Sequence, residues 1–62
     1  MALIEKLFPK LHKPYQELIV MYYLEQVPVS EMAEILGKTE NNVRVTISRA
    51  VKALRDLTET EN

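Results

Sequence analysis

Residues 29–57 run VSEMAEILGKTENNVRVTISRAVKALRDL: a short periodic segment, a single glycine, and a longer periodic segment. In the first segment Met32, Ala33, Ile35 and Leu36 are expected to supply an inward face over two helical turns. Ser30 is the expected N-cap, since a hydroxyl there can accept an orphan amide, and Glu31 complements the helix dipole. Gly37 stands where a left-handed residue closes a helix. Thr39 is expected to cap the next helix, with Glu40 in its first turn. That second helix carries Val43, Ile47, Ala50, Leu54 and Leu57 at three- and four-residue spacing, and is expected to fray from Thr58 onward. Ala33 permits close approach, Gly37 makes the turn, and Val43 and Ile47 lock one helix onto the other. This is the pattern of a helix-turn-helix over about residues 29–55.

Two further helices are expected upstream. The first is short, Ala2 to about Phe8, with Leu3, Ile4, Leu7 and Phe8 on one face and Pro9 as its stop. Pro14 suits the first turn of the second, which runs to about Glu25. Its segment LIVMYYL, residues 18–24, is apolar on every side. Tyr15, Leu18, Ile19 and Tyr22 form one stripe, expected in the core, while Val20, Met21 and Leu24 point elsewhere, toward either the core or a partner. Pro28 ends this unit by turning Val27 away from helical geometry. With one glycine in the chain and no alternating strand pattern, the expected fold is all-α. Four short helices, the last two forming a C-terminal helix-turn-helix, make a single domain over residues 1–62.

Composition narrows the function. A chain of 62 residues has room for one core and buries only roughly 60% of its unfolded surface. The absence of cysteine excludes disulfides, thiolate zinc sites and thiol nucleophiles together. His12 is the one imidazole, isolated between Leu11 and Lys13, so a histidine metal site is excluded and no cofactor is expected. No Ser or carboxylate pairs with it at a catalytic spacing, and Glu31 and Glu34 fit surface charge, so the chain is not expected to be an enzyme. The apolar run at 18–24 is far short of the roughly 20 residues that span a bilayer. Nor is a signal peptide evident, so no membrane partner is expected and the cytoplasm is the expected address.

The formal net charge of −1 hides an asymmetry. Residues 1–37 set Lys6, Lys10 and Lys13 against five glutamates; residues 56–62 carry Asp56, Glu59 and Glu61 and no cation. Between them, residues 38–55 set Lys38, Arg44, Arg49, Lys52 and Arg55 against Glu40 alone. One basic segment on an acidic small domain fits a single docking face rather than a binder that is basic throughout. At 100° per residue from Val43, the residues Asn41, Arg44, Val45, Ser48, Arg49, Lys52 and Arg55 fall on the side away from the apolar stripe. Asn and Arg can form bidentate bonds to adenine and guanine edges, and Arg and Lys neutralise phosphates. Val45 is either neutral decoration or a contact for a thymine methyl; Lys52 and Arg55 lie further along, toward the DNA backbone.

The stretch PYQELIVMYYLEQVPVSEMAEILGKTENNVRVTISRAVKALRDL, residues 14–57, resembles the C-terminal promoter-recognition domain (region four) of bacterial sigma factors, extracytoplasmic-function type. The matching elements are Tyr23-Leu24, Glu31 to Gly37, Val43-Arg44, Arg49-Ala50 and Leu54. Thr46 and Val51 depart from it, standing where arginine is frequent in that family, so fewer phosphate contacts are implied. The resemblance implies that Thr39, Glu40, Asn41, Asn42, Arg44, Val45, Ser48 and Arg49 face the minus-35 promoter element in the major groove, with Lys52 beside them. It also implies that apolar Val20, Met21, Tyr23 and Leu24 bind the β-subunit flap of RNA polymerase, and are a target for an anti-sigma factor. A chain without the sigma region that melts the minus-10 element would recognise a promoter and not open it, as an excised domain or a free-standing helper. Two alternatives stay open: a helical interaction or dimerisation module using LIVMYYL, and a response-regulator-type helix-turn-helix output domain. The latter normally dimerises through its last helix, which here ends in acids.

Overall fold

The computed structural model describes residues 6–61. Of the helix expected over Ala2 to Phe8, Ala2, Leu3 and Ile4 lie outside the described residues. At its far end the chain forms a single 3-10 turn, Phe8–Lys10, with Pro9 in its first turn. Leu11 N–H donates to the Phe8 carbonyl at 3.0 Å, and buried Leu7 and Leu11 bracket the turn. Proline at position 9 lacks the amide an α-helix would need there, which is why the chain tightens instead of continuing. Lys6 and Leu7, the described end of the first expected helix, are helical, and beyond them the described residues hold this turn and three α-helices.

Helix α1, Lys13–Ile19, takes Pro14 in its first turn, where the missing N–H has no intrahelical partner. Gln16 Nε2 donates to the Leu11 carbonyl at 2.7 Å and to that of Pro9 at 3.3 Å, tying α1 to the preceding turn. The expected continuation to Glu25 changes character: Val20–Leu24 is wound as a π-helix, with Glu25 N–H donating to the Val20 carbonyl at 2.9 Å. Leaving α winding at Val20 breaks the 100° phase on which the expected core stripe depends. Leu18 is buried and Tyr15 and Ile19 are half-buried, but Tyr22 is 39% exposed; Met21 packs on the core in its stead. Gln26 then takes φ 56°, a left-handed conformation that costs a non-glycine residue roughly 1–2 kcal/mol.

Helix α2, Val29–Leu36, starts one residue before the expected cap. Pro28, extended at ψ 147°, is the N-cap residue, and its carbonyl receives Met32 N–H at 2.9 Å. Ser30 thus lies inside the first turn and does not cap. At the other end Gly37 adopts φ 66° and ψ 36°. Lys38 N–H donates to the Ala33 carbonyl at 2.9 Å and Gly37 N–H to that of Glu34 at 3.3 Å. This pair of bonds is a Schellman closure, which a left-handed residue at position 37 permits. Met32 and Ala33 are buried and Leu36 half-buried, but Ile35 is 61% exposed, against the expected inward face. The reason is phase: Val29, Met32, Ala33 and Leu36 share one arc, and Ile35 falls outside it.

Helix α3, Glu40–Glu61, is the spine of the molecule, and both α1 and α2 pack against it. At 1.5 Å per residue its 22 residues span about 33 Å, close to the 36 Å long axis of the protein. Its helical winding persists to Glu61, past the point where fraying is expected. Val43, Ile47 and Ala50 are buried, and Leu54 and Leu57 half-buried. Leu18, Met32, Ala33, Val43 and Ile47 form the central cluster, with Val27, Val29, Leu36 and Val51 around it. No polar or charged residue among those described is buried.

Met32→Ala should therefore lower the unfolding free energy by about 2–5 kcal/mol, most of what a domain of this size possesses. Ile35→Ala should stay within about 0.5 kcal/mol of the parent. Urea melts followed by circular dichroism separate the two, and equal losses would contradict the helical phase of α2.

Candidate nucleic-acid interface

The turn between α2 and α3 is short. Gly37 closes one helix, and two residues later Thr39 opens the next: its Oγ1 accepts Asn42 N–H at 3.0 Å, while its carbonyl accepts Val43 N–H at 3.0 Å. The first turn of α3 is thereby fixed just where its surface residues begin. Thr46 Oγ1 donates back to the Asn42 carbonyl at 2.7 Å. That bond occupies the Thr46 hydroxyl within the helix.

Every residue expected on the wet side of α3 lies there. Asn41, Arg44, Ser48, Arg49, Lys52 and Arg55 are accessible to solvent and Val45 is 38% exposed, while Thr39, Glu40 and Asn42, named by the resemblance, are exposed at the cap and first turn of the helix. From Asn41 to Arg55 the face is about 21 Å long at 1.5 Å per residue. An α-helix of about 10–12 Å diameter fits the roughly 12 Å wide major groove of B-DNA. The buried seam of Val43, Ile47 and Ala50 runs along the opposite side, so this face is not used in folding.

The electrostatics of the face are less uniform than its residue types suggest. Glu40 Oε1 sits 3.4 Å from Arg44 Nη2, and Asp56 Oδ2 sits 3.4 Å from Lys52 Nζ. Both pairs are exposed, and exposed i,i+4 pairs contribute only about 0.3–0.5 kcal/mol, so an incoming phosphate or base edge can displace the carboxylates. Arg49 and Arg55 have no carboxylate partner among the described residues. The i,i+4 spacing of Glu40–Arg44 and Lys52–Asp56 is itself the sequence signal for both pairs.

The four apolar residues singled out upstream divide. Val20, Tyr23 and Leu24 come together with Phe8, Ile19 and Leu54 in one apolar groove. Tyr23 is 53% and Leu24 75% exposed. Met21 instead packs on the core and opens toward Ile35, on the other side of Val20. Phe8 and Leu54 escape a reading by spacing because they come from distant parts of the chain. A second groove joins Tyr22 and Tyr23 to Arg44, Ser48 and Arg55 on α3, and no local pattern announces it. Among the described residues no cluster of His, Asp or Glu could hold a metal ion, and no helix is long and apolar enough to cross a membrane.

The family model for sigma-70, region 4 matches residues 1–54. No curated protein and no solved structure matches the chain.

Removing the Thr39 hydroxyl tests how the interface is positioned. Thr39→Ala should cost about 1 kcal/mol of stability. Thr39→Ser should restore most of it, as read from thermal midpoints; no difference between the two variants would mean that the hydroxyl does not cap α3.

Proposed function

The chain belongs to the sigma-70 region 4 family, and from that premise we propose that it recognises the minus-35 promoter element through α3. The family is a DNA-binding one in transcription, not an enzymatic one. In the proposed complex α3 enters the major groove, with Thr39, Glu40, Asn41, Asn42, Arg44, Val45, Ser48 and Arg49 toward base edges and Lys52 toward the backbone. The observation that supports this best is the exposure of Asn41, Arg44, Val45, Ser48, Arg49 and Lys52 on the side of α3 away from its apolar seam, with Thr39, Glu40 and Asn42 exposed at the start of the helix. Residues 1–62 act as one domain in this reading, with the helix-turn-helix over about 29–55, in a sigma factor of the extracytoplasmic-function type.

The second contact is with protein. Val20, Tyr23 and Leu24, with Met21 beside them, would dock the β-subunit flap of RNA polymerase, and the same surface would be the target of an anti-sigma factor. Tyr23 and Leu24 are large apolar residues left in water, which supports a partner here. Binding DNA at one face and polymerase at the other would join the enzyme to its promoter in the cytoplasm. The alternative of a pure interaction module rests on the same exposed apolar residues and leaves the cationic face without a use.

Neutralising about four phosphates gives a log–log salt slope of roughly −3.6, and a single small module binds in the micromolar range. Arg44→Ala should cost about 1–3 kcal/mol and relax preference at one base pair, whereas Lys52→Ala should weaken all sequences alike and flatten the slope by about one unit. Fluorescence anisotropy with a duplex selected from a random pool measures both. If neither substitution alters DNA binding, and Leu24→Ala abolishes association with polymerase, the interaction module is the correct description.

A further inference from the structure

The groove between the π-helical segment and α3 joins two chemistries. One wall is the near edge of α3, where Arg44, Ser48 and Arg55 lie within about 40° of one another around the helix axis. The other wall is Tyr22 and Tyr23, whose rings meet edge to face at a centroid distance of 4.9 Å and an interplanar angle of 90°. The floor is apolar, from Val29 and Val51. Arg44 and Arg55 are eleven residues apart, about 16 Å along the helix, so the groove runs lengthwise along one border of the face assigned to bases and shares Arg44 and Ser48 with it.

From this juxtaposition we propose that the groove seats one sugar–phosphate strand of the bound duplex, with the Tyr22 hydroxyl and the Arg55 guanidinium as backbone contacts and the Tyr23 ring as a wall. The inference rests on the reading of α3 as the DNA-recognition helix. The chemistry fits a nucleic-acid backbone better than a free anion. Phosphate oxygens take hydrogen bonds from phenols and guanidinium groups, and the apolar floor meets deoxyribose carbons. Tyr22 is 39% exposed and Tyr23 53%, so both hydroxyl-bearing rings are available at the surface. Their edge-to-face packing restrains each ring, which lowers the ordering cost of binding. Tyr23 also lines the apolar groove on its other side, which makes Tyr22 the cleaner probe.

The test uses the full 62-residue chain and a pool of random-sequence 20-base-pair duplexes, because backbone contacts do not depend on sequence. Tyr22→Phe removes only the hydroxyl and should weaken binding about three- to tenfold on every duplex, leaving the salt slope unchanged, since a neutral donor releases no counterion. Arg55→Ala should weaken binding similarly and flatten the slope by about one unit. Unchanged affinity in Tyr22→Phe, while Arg49→Ala abolishes binding, would overturn the backbone contact and leave the recognition helix standing. Absence of DNA binding by the parent chain would overturn both. Retained DNA affinity with lost binding to polymerase in Tyr22→Phe would assign the groove to protein instead.

Discussion

The apolar seam of α3 governs everything else in this molecule. Val43 and Ile47 are buried against α1 and α2, Ala50 is buried on the same seam, and with Leu18, Met32 and Ala33 they make up most of the core. Each fully buried large aliphatic side chain contributes about 1.5–3 kcal/mol. In a chain too short for a second core, no other set of contacts can orient α3. Once the seam is committed inward, helical geometry sends Asn41, Ser48, Arg49 and Lys52 outward with no further specification. Fold and interface are therefore one decision, made along a single helix.

The junction before that helix converts packing into position. A Schellman closure at Gly37 and the Thr39 hydroxyl on Asn42 N–H fix where α3 begins. The cap also satisfies an amide that would otherwise face solvent or a ligand. Upstream, the chain accepts a π-wound segment and a left-handed Gln26 to bring Val27 and Val29 onto the core. Local strain and irregular winding gather in the link between the α1 unit and the helix-turn-helix. The two tyrosines of that link then stand beside α3 rather than within the core.

Local signals in the sequence are legible where one helix turn settles the outcome. Gly37 and Thr39 behave as their residue types suggest, and the α3 periodicity places Val43, Ile47 and Ala50 inward. Two of the departures come where the backbone changes pitch or start, and the third follows from regular helical phase itself. Tyr22 belongs to the expected core stripe yet stands exposed on a π-wound segment, a change of pitch that leaves no composition signal. Ser30 has the residue type of a cap, yet the carbonyl of Pro28 opens the helix two residues earlier. Ile35 is as apolar as its neighbours, but an eight-residue helix presents only one arc to the core. Of the candidate site, the linear array on α3 follows from spacing alone. The grooves do not, since they join Phe8 to Leu54 and Tyr22 to Arg55 across the fold.

A helix held by one side and offered by the other suits a member of the sigma-70 region 4 family, whose business is binding DNA. The carboxylates of Glu40 and Asp56 temper that face without closing it, because they sit in water on the same helix. The most direct measurement is an amide-shift titration of the labelled chain with a duplex selected from a random pool, against a scrambled duplex of equal composition. The largest shifts are expected within residues 39–55, stronger for the selected duplex. Shifts largest within 18–27 with 39–55 silent, or no shifts with either duplex, would contradict DNA recognition by the outer face of α3.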